Sequence, residues 1–190
     1  MSNLDAYIKS IYFKEPSRIS TNFQDAQSLD FLFFWSHQQI SNAITTSCLS
    51  QWYDAKFTYS GIIYRTAEHW MMSEKAKLFD DGDIFEEIVN TSTPADAKRL
   101  GRNIRNFDNK LWTEKRFDIV VKGNLLKFSQ NDLLKDYLLG TGKKILVEAS
   151  PYDTIWGIGL THGDIHATEP SKWRGLNLLG FALMEVRNIL

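Results

Sequence analysis

The stretch YRTAEHWMMSEKAKLF, residues 64–79, restricts this chain more than any other. Thr66 stands where an N-cap belongs, and Ala67, Trp70, Met71, Leu78 and Phe79 make the helix after it strongly apolar. Two charges interrupt that surface. At about 100° per residue, Glu68 and Lys75 lie about 20° apart around the axis and about 10.5 Å apart along it, so they share one stripe. Apolar residues flank the stripe on both sides. Burying either charge alone costs several kcal/mol, so an enclosed Glu and Lys on one face border a polar cavity or each other. Simpler explanations exist for each. Glu68 falls in the first turn, where the helix dipole favours a carboxylate by about 0.3–1 kcal/mol, and a lysine can lay its stem on apolar surface with its ammonium in water.

A chain of 190 residues, 43% hydrophobic, can bury most of its apolar side chains in one core, so a single domain over 1–190 is expected. Lys+Arg number 22 and Asp+Glu 23, a formal charge of -1, which excludes a global field for nucleic acid or an anionic membrane. Any polyanion must be met locally. One cysteine, Cys48, rules out an internal disulfide framework and reads as a small hydrophobe. The polar start MSNLDAYIKS lacks the apolar centre of a signal peptide, and no 18 apolar residues run together. A reducing cytoplasm is the expected location, with no membrane partner.

The first 30 residues are weakly patterned, and DFLFFWS (30–36) is the first strand signal. AKFTYSGIIY (55–64) alternates around Ser60-Gly61, as a hairpin does. TPADAKRLGR (93–102) opens a helix with Thr93 as cap, Pro94 at the first position and Asp96 at the capping-box site. Residues 111–131 carry Phe117, Val120, Val121, Leu125 and Phe128 at helical spacing. NDLLKDYLLGTG (131–142) is a further short helix stopped by glycine, and KILVEAS (144–150) a buried strand ended by Pro151. After a glycine-bearing loop, NLLGFALMEVRNIL closes the chain as an amphipathic helix. The expected class is α+β: compact, mostly helical, with a small β-sheet.

Other residues invite chemistry. Trp112 and Trp156 lie off the obvious apolar stripes and suit stacking on a base. Asp153 precedes Trp156 in a loop whose Gly157 and Gly159 allow close backbone approach to a ligand. Lys98, Arg102 and Arg105 project from one helical side with Arg99 adjacent, a cluster able to hold phosphate oxygens or simply to face solvent. His162 and His166 are four apart in a loop, too weak a pattern for a metal site, so neither metal nor cofactor is expected.

Several of these pieces, with CLSQWY (48–53), FTYSGIIYRTAEHWMMSEKAKLF, the Trp112 region, KFSQN, LVEASPYDTIWGIG and GLNLLGFALMEVRNIL, occur in the order they take in the NADAR family (NAD- and ADP-ribose-associated). Over residues 48–190 the chain resembles that family, and most closely its YbiA-like N-glycosidases. The resemblance implies an α+β fold and hydrolysis of a ribose N-glycosidic bond. The implied substrates are phosphorylated ribosylamino-pyrimidine intermediates of riboflavin biosynthesis or, in other members, ADP-ribose on guanine bases of nucleic acid. A non-catalytic reader of ADP-ribose or a nucleotide is the alternative class. By matching motifs, Glu68, Lys75 and Asp153 take catalytic roles, with Glu68 supporting an oxocarbenium-like centre, Lys75 either imine-forming nucleophile or charge partner, and Asp153 second acid. Ser50, Trp52, Arg99, Arg102, Trp112, Trp156, Gly157 and Asn177 take substrate-binding roles, Arg99 and Arg102 as a phosphate clamp. Where many relatives have an LSNF-like turn this chain has Leu49-Ser50-Gln51-Trp52, so an amide contact there reaches one methylene further. THGDIHATEPSKW is also longer than the expected connection, and both changes bear on substrate choice.

Overall fold

The computed structural model describes residues 30–38 and 43–190, and the expectations about the chain's first 29 residues lie outside it. Among the described residues four short strands and six α-helices form, in the order β1 (Phe31–Phe34), β2 (Phe57–Tyr59), β3 (Ile62–Tyr64), α1 (Ala67–Leu78), α2 (Gly82–Asn90), α3 (Pro94–Gly101), α4 (Asn109–Ser129), α5 (Asp132–Gly140), β4 (Ile145–Glu148) and α6 (Leu178–Ile189). The helix-rich α+β class is as expected. The strands, however, make two separate ladders. β1 pairs with β4 in parallel, Phe31 opposite Ile145 and Phe34 opposite Glu148, while β2 and β3 form the hairpin. A left-handed turn at Ser60 (φ 50°) and Gly61 (φ 80°) matches the twist of that hairpin.

Helix α6 is the centre of the core. Leu178 to Met184 and Val186 are all buried, and the helix packs on β4 and on α4. Gly180 lets it approach closely: an added Cβ there would lie 2.0 Å from the Leu146 carbonyl oxygen. On the other side of α4, helix α1 is buried by α2, α3 and α4, which encloses its polar stripe too. The hairpin covers Trp70, whose ring stands edge-on to Tyr64 at 5.0 Å and whose indole N–H donates to the Ile119 carbonyl.

Helix caps follow the sequence signals. Thr66 Oγ1 accepts from the His69 backbone N–H, and Thr93 Oγ1 accepts from Asp96 N while donating to its carboxylate. Helix α2 is absent from the sequence expectations. Its signals are Asp81, whose carboxylate caps Ile84 N, and apolar Ile84, Phe85, Ile88 and Val89 behind it. Asp81 also accepts from the Arg105 backbone and guanidinium, which hold its carboxyl down to about 2. Arg105 is further paired with Asp83, so it belongs to the α2 cap and not to the basic cluster of α3. No helix among the described residues is long and apolar enough to cross a membrane.

Candidate active site

The start of α1, the end of α3, the start of α4 and the loop after β4 converge on a cavity of about 240 Å³. Ser50, Gln51, Trp52, Glu68, Lys75, Lys98, Arg102, Trp112, Glu148, Asp153 and Trp156 are in its wall. It opens into an outer cavity of about 560 Å³ through a neck they share, made of Ser50, Trp52, Lys98, Arg102, Glu148 and Asp153. The inner space alone falls short of the roughly 300–1,000 Å³ common for ligand sites, and the connected pair reaches it.

Glu68 is 2% exposed, and its Oε1 has no hydrogen-bond partner. Burial raises its carboxyl to about 7, against the pull of Lys98 and the Trp52 side chain and with the repulsion of Asp153. Its position is set from below, where its backbone N–H donates to the Gln51 carbonyl. Lys75 does share the face but forms no ion pair with Glu68. Its Nζ donates to the Gly101 carbonyl at 2.7 Å and lies 4.4 Å from the Phe107 ring centre and 5.6 Å from that of Trp112. Burial lowers its pKa, with Glu68 pulling the other way.

Asp153 stands in the neck, its Oδ1 accepting from the backbone N–H groups of Ile155 and Trp156. That Asx turn aims the Trp156 ring into the inner wall. Trp112 is nearly buried at 9% exposure, so it is a wall of the cavity and not an exposed stacking platform. Arg102 and Lys98 reach the neck. Arg99 does not: it is exposed, paired with Asp96 one turn back, and absent from both cavity walls, because the helix points it away from α1. Gly157 lies behind the wall, where an added Cβ would meet the Glu148 carbonyl at 2.8 Å and that of Asp153 at 3.0 Å, so the close approach it allows is to backbone. Asn177 is wholly buried behind β4, its amide donating to the Leu146 carbonyl and accepting from Glu148 N. It ties α6 to the strand that carries Glu148.

Glu148 is missing from the sequence reading. It sits at the end of a strand that looks like continuous core, three residues before the Pro151 that stops it. Its Oε2 is enclosed without a partner, and burial, with Asp153 and Glu68 adding repulsion, raises its carboxyl to about 8. Gln51 also contributes: its Oε1 accepts from Asn124, leaving its Nε2 buried and unpartnered. Below it, fully buried Lys127 donates to the carbonyls of Cys48 and Ser50 and so fixes the segment that carries Ser50, Gln51 and Trp52. Cys48 itself is buried, its thiol pushed up to about 11 by burial.

Gln51, Glu68 and Glu148 thus line one cavity, and each carries a buried polar atom without a partner: Nε2, Oε1 and Oε2 in turn. Orphaned buried polar atoms are rare in folded proteins, and three around one space fit a site built to be completed by a polar ligand. His162 packs edge-on against Phe33, and His166 pairs with Glu169, so neither faces this cavity.

The family model for the NADAR domain matches residues 33–190. N-glycosidase R617 of Acanthamoeba polyphaga mimivirus is 44% identical over 162 residues, covering 83% of this chain and 94% of that protein. Riboflavin biosynthesis protein VVA0006 of Vibrio vulnificus is 33% identical over 142 residues, 75% of this chain but 35% of that longer protein. The solution structure of YbiA from E. coli superposes with a TM-score of 0.68 at 27% identity, covering 86% of each chain.

Proposed function

This chain belongs to the NADAR domain family and is an N-glycosidase of the YbiA type, and from that premise we propose that it hydrolyses the N-glycosidic bond of a phosphorylated ribosylamino-pyrimidine. The observation that carries the reading is the trio of orphaned atoms around the inner cavity. They supply what such a substrate needs: a buried carboxyl facing the sugar carbon, and polar groups at the ring that leaves. Lys98 and Arg102 at the neck match a phosphate, whose oxygens accept charge-assisted hydrogen bonds from both. A relative named for riboflavin biosynthesis supports this choice of pyrimidine.

Breaking a ribose C1′–N bond builds positive charge on the ring carbon and its oxygen. Ionised Glu68 stabilises that charge and takes a proton from the attacking water. A carboxyl raised to about 7 suits this work, because it is largely ionised just above neutrality yet basic enough to accept the proton. Trp112 and Trp156 close the sides of the cavity, and Asp153 holds the loop that presents Trp156. Lys75 acts as a cation in the wall: its Nζ donates to a carbonyl and lies by two aromatic faces, contacts suited to the ammonium, while an imine would require the free amine that burial favours.

Removal of ADP-ribose from a guanine base is the second reading, favoured by the outer cavity, where Trp35 and Tyr152 stand 6.1 Å apart and offer rings to a second base. Supplying a ribosylaminouracil phosphate and an ADP-ribosylated guanine oligonucleotide in parallel separates the two. Release of free pyrimidine from the first, with the second left intact, is the expected result. Turnover of the oligonucleotide alone reverses the assignment.

A further inference from the structure

We infer that Glu148 is a catalytic acid that hands a proton to the nitrogen leaving C1′, as the partner of Glu68 in one hydrolytic step. This rests on the N-glycosidase reading above and assigns a residue that the sequence motifs pass over. The geometry points to it in three ways. Glu148 is in the wall of both cavities, so any ligand threaded through the neck must pass it, and Glu68 is in the inner wall alone. Its side chain lines the neck and its Oε2 has no hydrogen-bond partner within the protein. The third acid, Asp153, has Oδ1 already committed to two backbone N–H groups.

The step balances. The C1′–N bond breaks with its electron pair going to nitrogen, and nitrogen takes the Glu148 proton. Water adds through oxygen to C1′, and its proton goes to Glu68. Glu68 then loses a proton to solvent and Glu148 regains one through the outer cavity, which restores the starting forms. Nitrogen bases leave poorly as anions, so protonation at that atom is where an acid contributes most.

The charged and titratable groups that share these cavity walls with Glu148 are Glu68 and Lys75 from α1, Lys98 from α3 and Arg102 just after it, Asp153 and Tyr152 from the loop after β4, and His37 from the segment after β1. Burial first, then the repulsion of Asp153 and Glu68, keeps the Glu148 carboxyl protonated up to about 8, against the pull of Lys98. Because each carboxylate disfavours ionisation of the other, the pair gives up its two protons in separate steps and between them holds one acid and one base, as the step requires. The two belong to one coupled pair, and its limbs appear as a bell-shaped rate profile.

Glu148→Gln keeps the side-chain shape and the backbone bonds to Asn177 and Ile158, so the fold is retained. The test is its rate on two substrates: the ribosylaminouracil phosphate, and a 4-nitrophenyl riboside 5-phosphate, whose leaving group departs without a proton. The expected result is a loss of at least about 100-fold on the first, a loss within about threefold on the second, and disappearance of the alkaline limb for the first. Equal losses on both, or no loss on either, overturn the assignment and leave the N-glycosidase reading intact. A wild-type protein that cleaves neither of these substrates nor the ADP-ribosylated oligonucleotide sinks that reading and the Glu148 assignment with it.

Discussion

Glu68→Gln makes the protein inactive and, above neutral pH, more stable. Burial carries the Glu68 carboxyl from the ordinary 4.5 up to about 7. At about 1.4 kcal/mol per tenfold change in proton affinity, the buried anion costs about 3 kcal/mol that the unfolded chain does not incur. The sign follows from the protons. Below pH 4.5 both states hold the neutral acid, and its full contribution to stability is present. As pH rises the unfolded state loses its proton first, so stability falls until the folded carboxyl ionises near pH 7. Glutamine has no proton to lose and carries no such penalty. Because Glu68 and Glu148 repel each other, removing one charge also eases ionisation of the other and adds to the gain at high pH. For a chain of this size about 3 kcal/mol corresponds to roughly 6–12 °C in melting temperature. Thermal melts of both proteins at pH 5 and pH 8 read it out: the variant's advantage should be small at pH 5 and open to several degrees at pH 8. An equal difference at both values, or a variant less stable at pH 8, refutes the reasoning.

Three further outcomes follow from single contacts. Borohydride added during turnover should leave no sugar mass on the peptide holding Lys75, and Lys75→Arg should keep more activity than Lys75→Ala; a trapped adduct with an inactive arginine variant makes Lys75 the nucleophile. Arg102→Ala should raise KM for a phosphorylated substrate by about 10-fold or more, the loss of one charge-assisted contact, while Arg99→Ala, whose parent arginine is paired with Asp96 outside the cavity, leaves KM within about twofold; the reverse order removes Arg102 from the phosphate site. Gly123→Ala puts a Cβ 2.2 Å from Trp70 Cδ1 and should cost about 1–3 kcal/mol, seen as a lower midpoint in urea; an unchanged midpoint means that Trp70 and the hairpin move freely.

Local signals in the sequence carried the elements with strong boundaries. Thr66, Thr93 and Pro94 mark helix starts by satisfying or omitting backbone donors, and Ser60-Gly61 marks a hairpin because few residues accept its left-handed turn. Helix α2 carries the same kind of local signal, an Asp81 cap with apolar residues at helical spacing, and is absent from the expectations all the same; only the part of its cap made by Arg105, 24 positions away, lies beyond local reading. The pairing of β1 with β4 is likewise a long-range event that neither strand's residues encode alone. In the site, periodicity placed Glu68 and Lys75 on one face, but it could not say that their charges would be met separately, one by Lys98 and Trp52 and one by Gly101 and Phe107. Periodicity also puts Lys98 and Arg102 on one side of α3 with Arg99 off it, and these two are the ones in the cavity wall, whereas the phosphate clamp expected from Arg99 and Arg102 has only Arg102 there. Glu148 was hidden because strand burial reads as core, and its role appears only when α1 and the loop after β4 fold across it.

The central claim is that Glu68 acts on bound substrate. The direct measurement is affinity and product release for wild type and Glu68→Gln, side by side, on the ribosylaminouracil phosphate. The account predicts wild-type release of free base and ribose 5-phosphate, with the variant binding within a few-fold of wild type and releasing product at least about 100-fold more slowly. Equal turnover by the two proteins, or tight binding by wild type with no product, contradicts it.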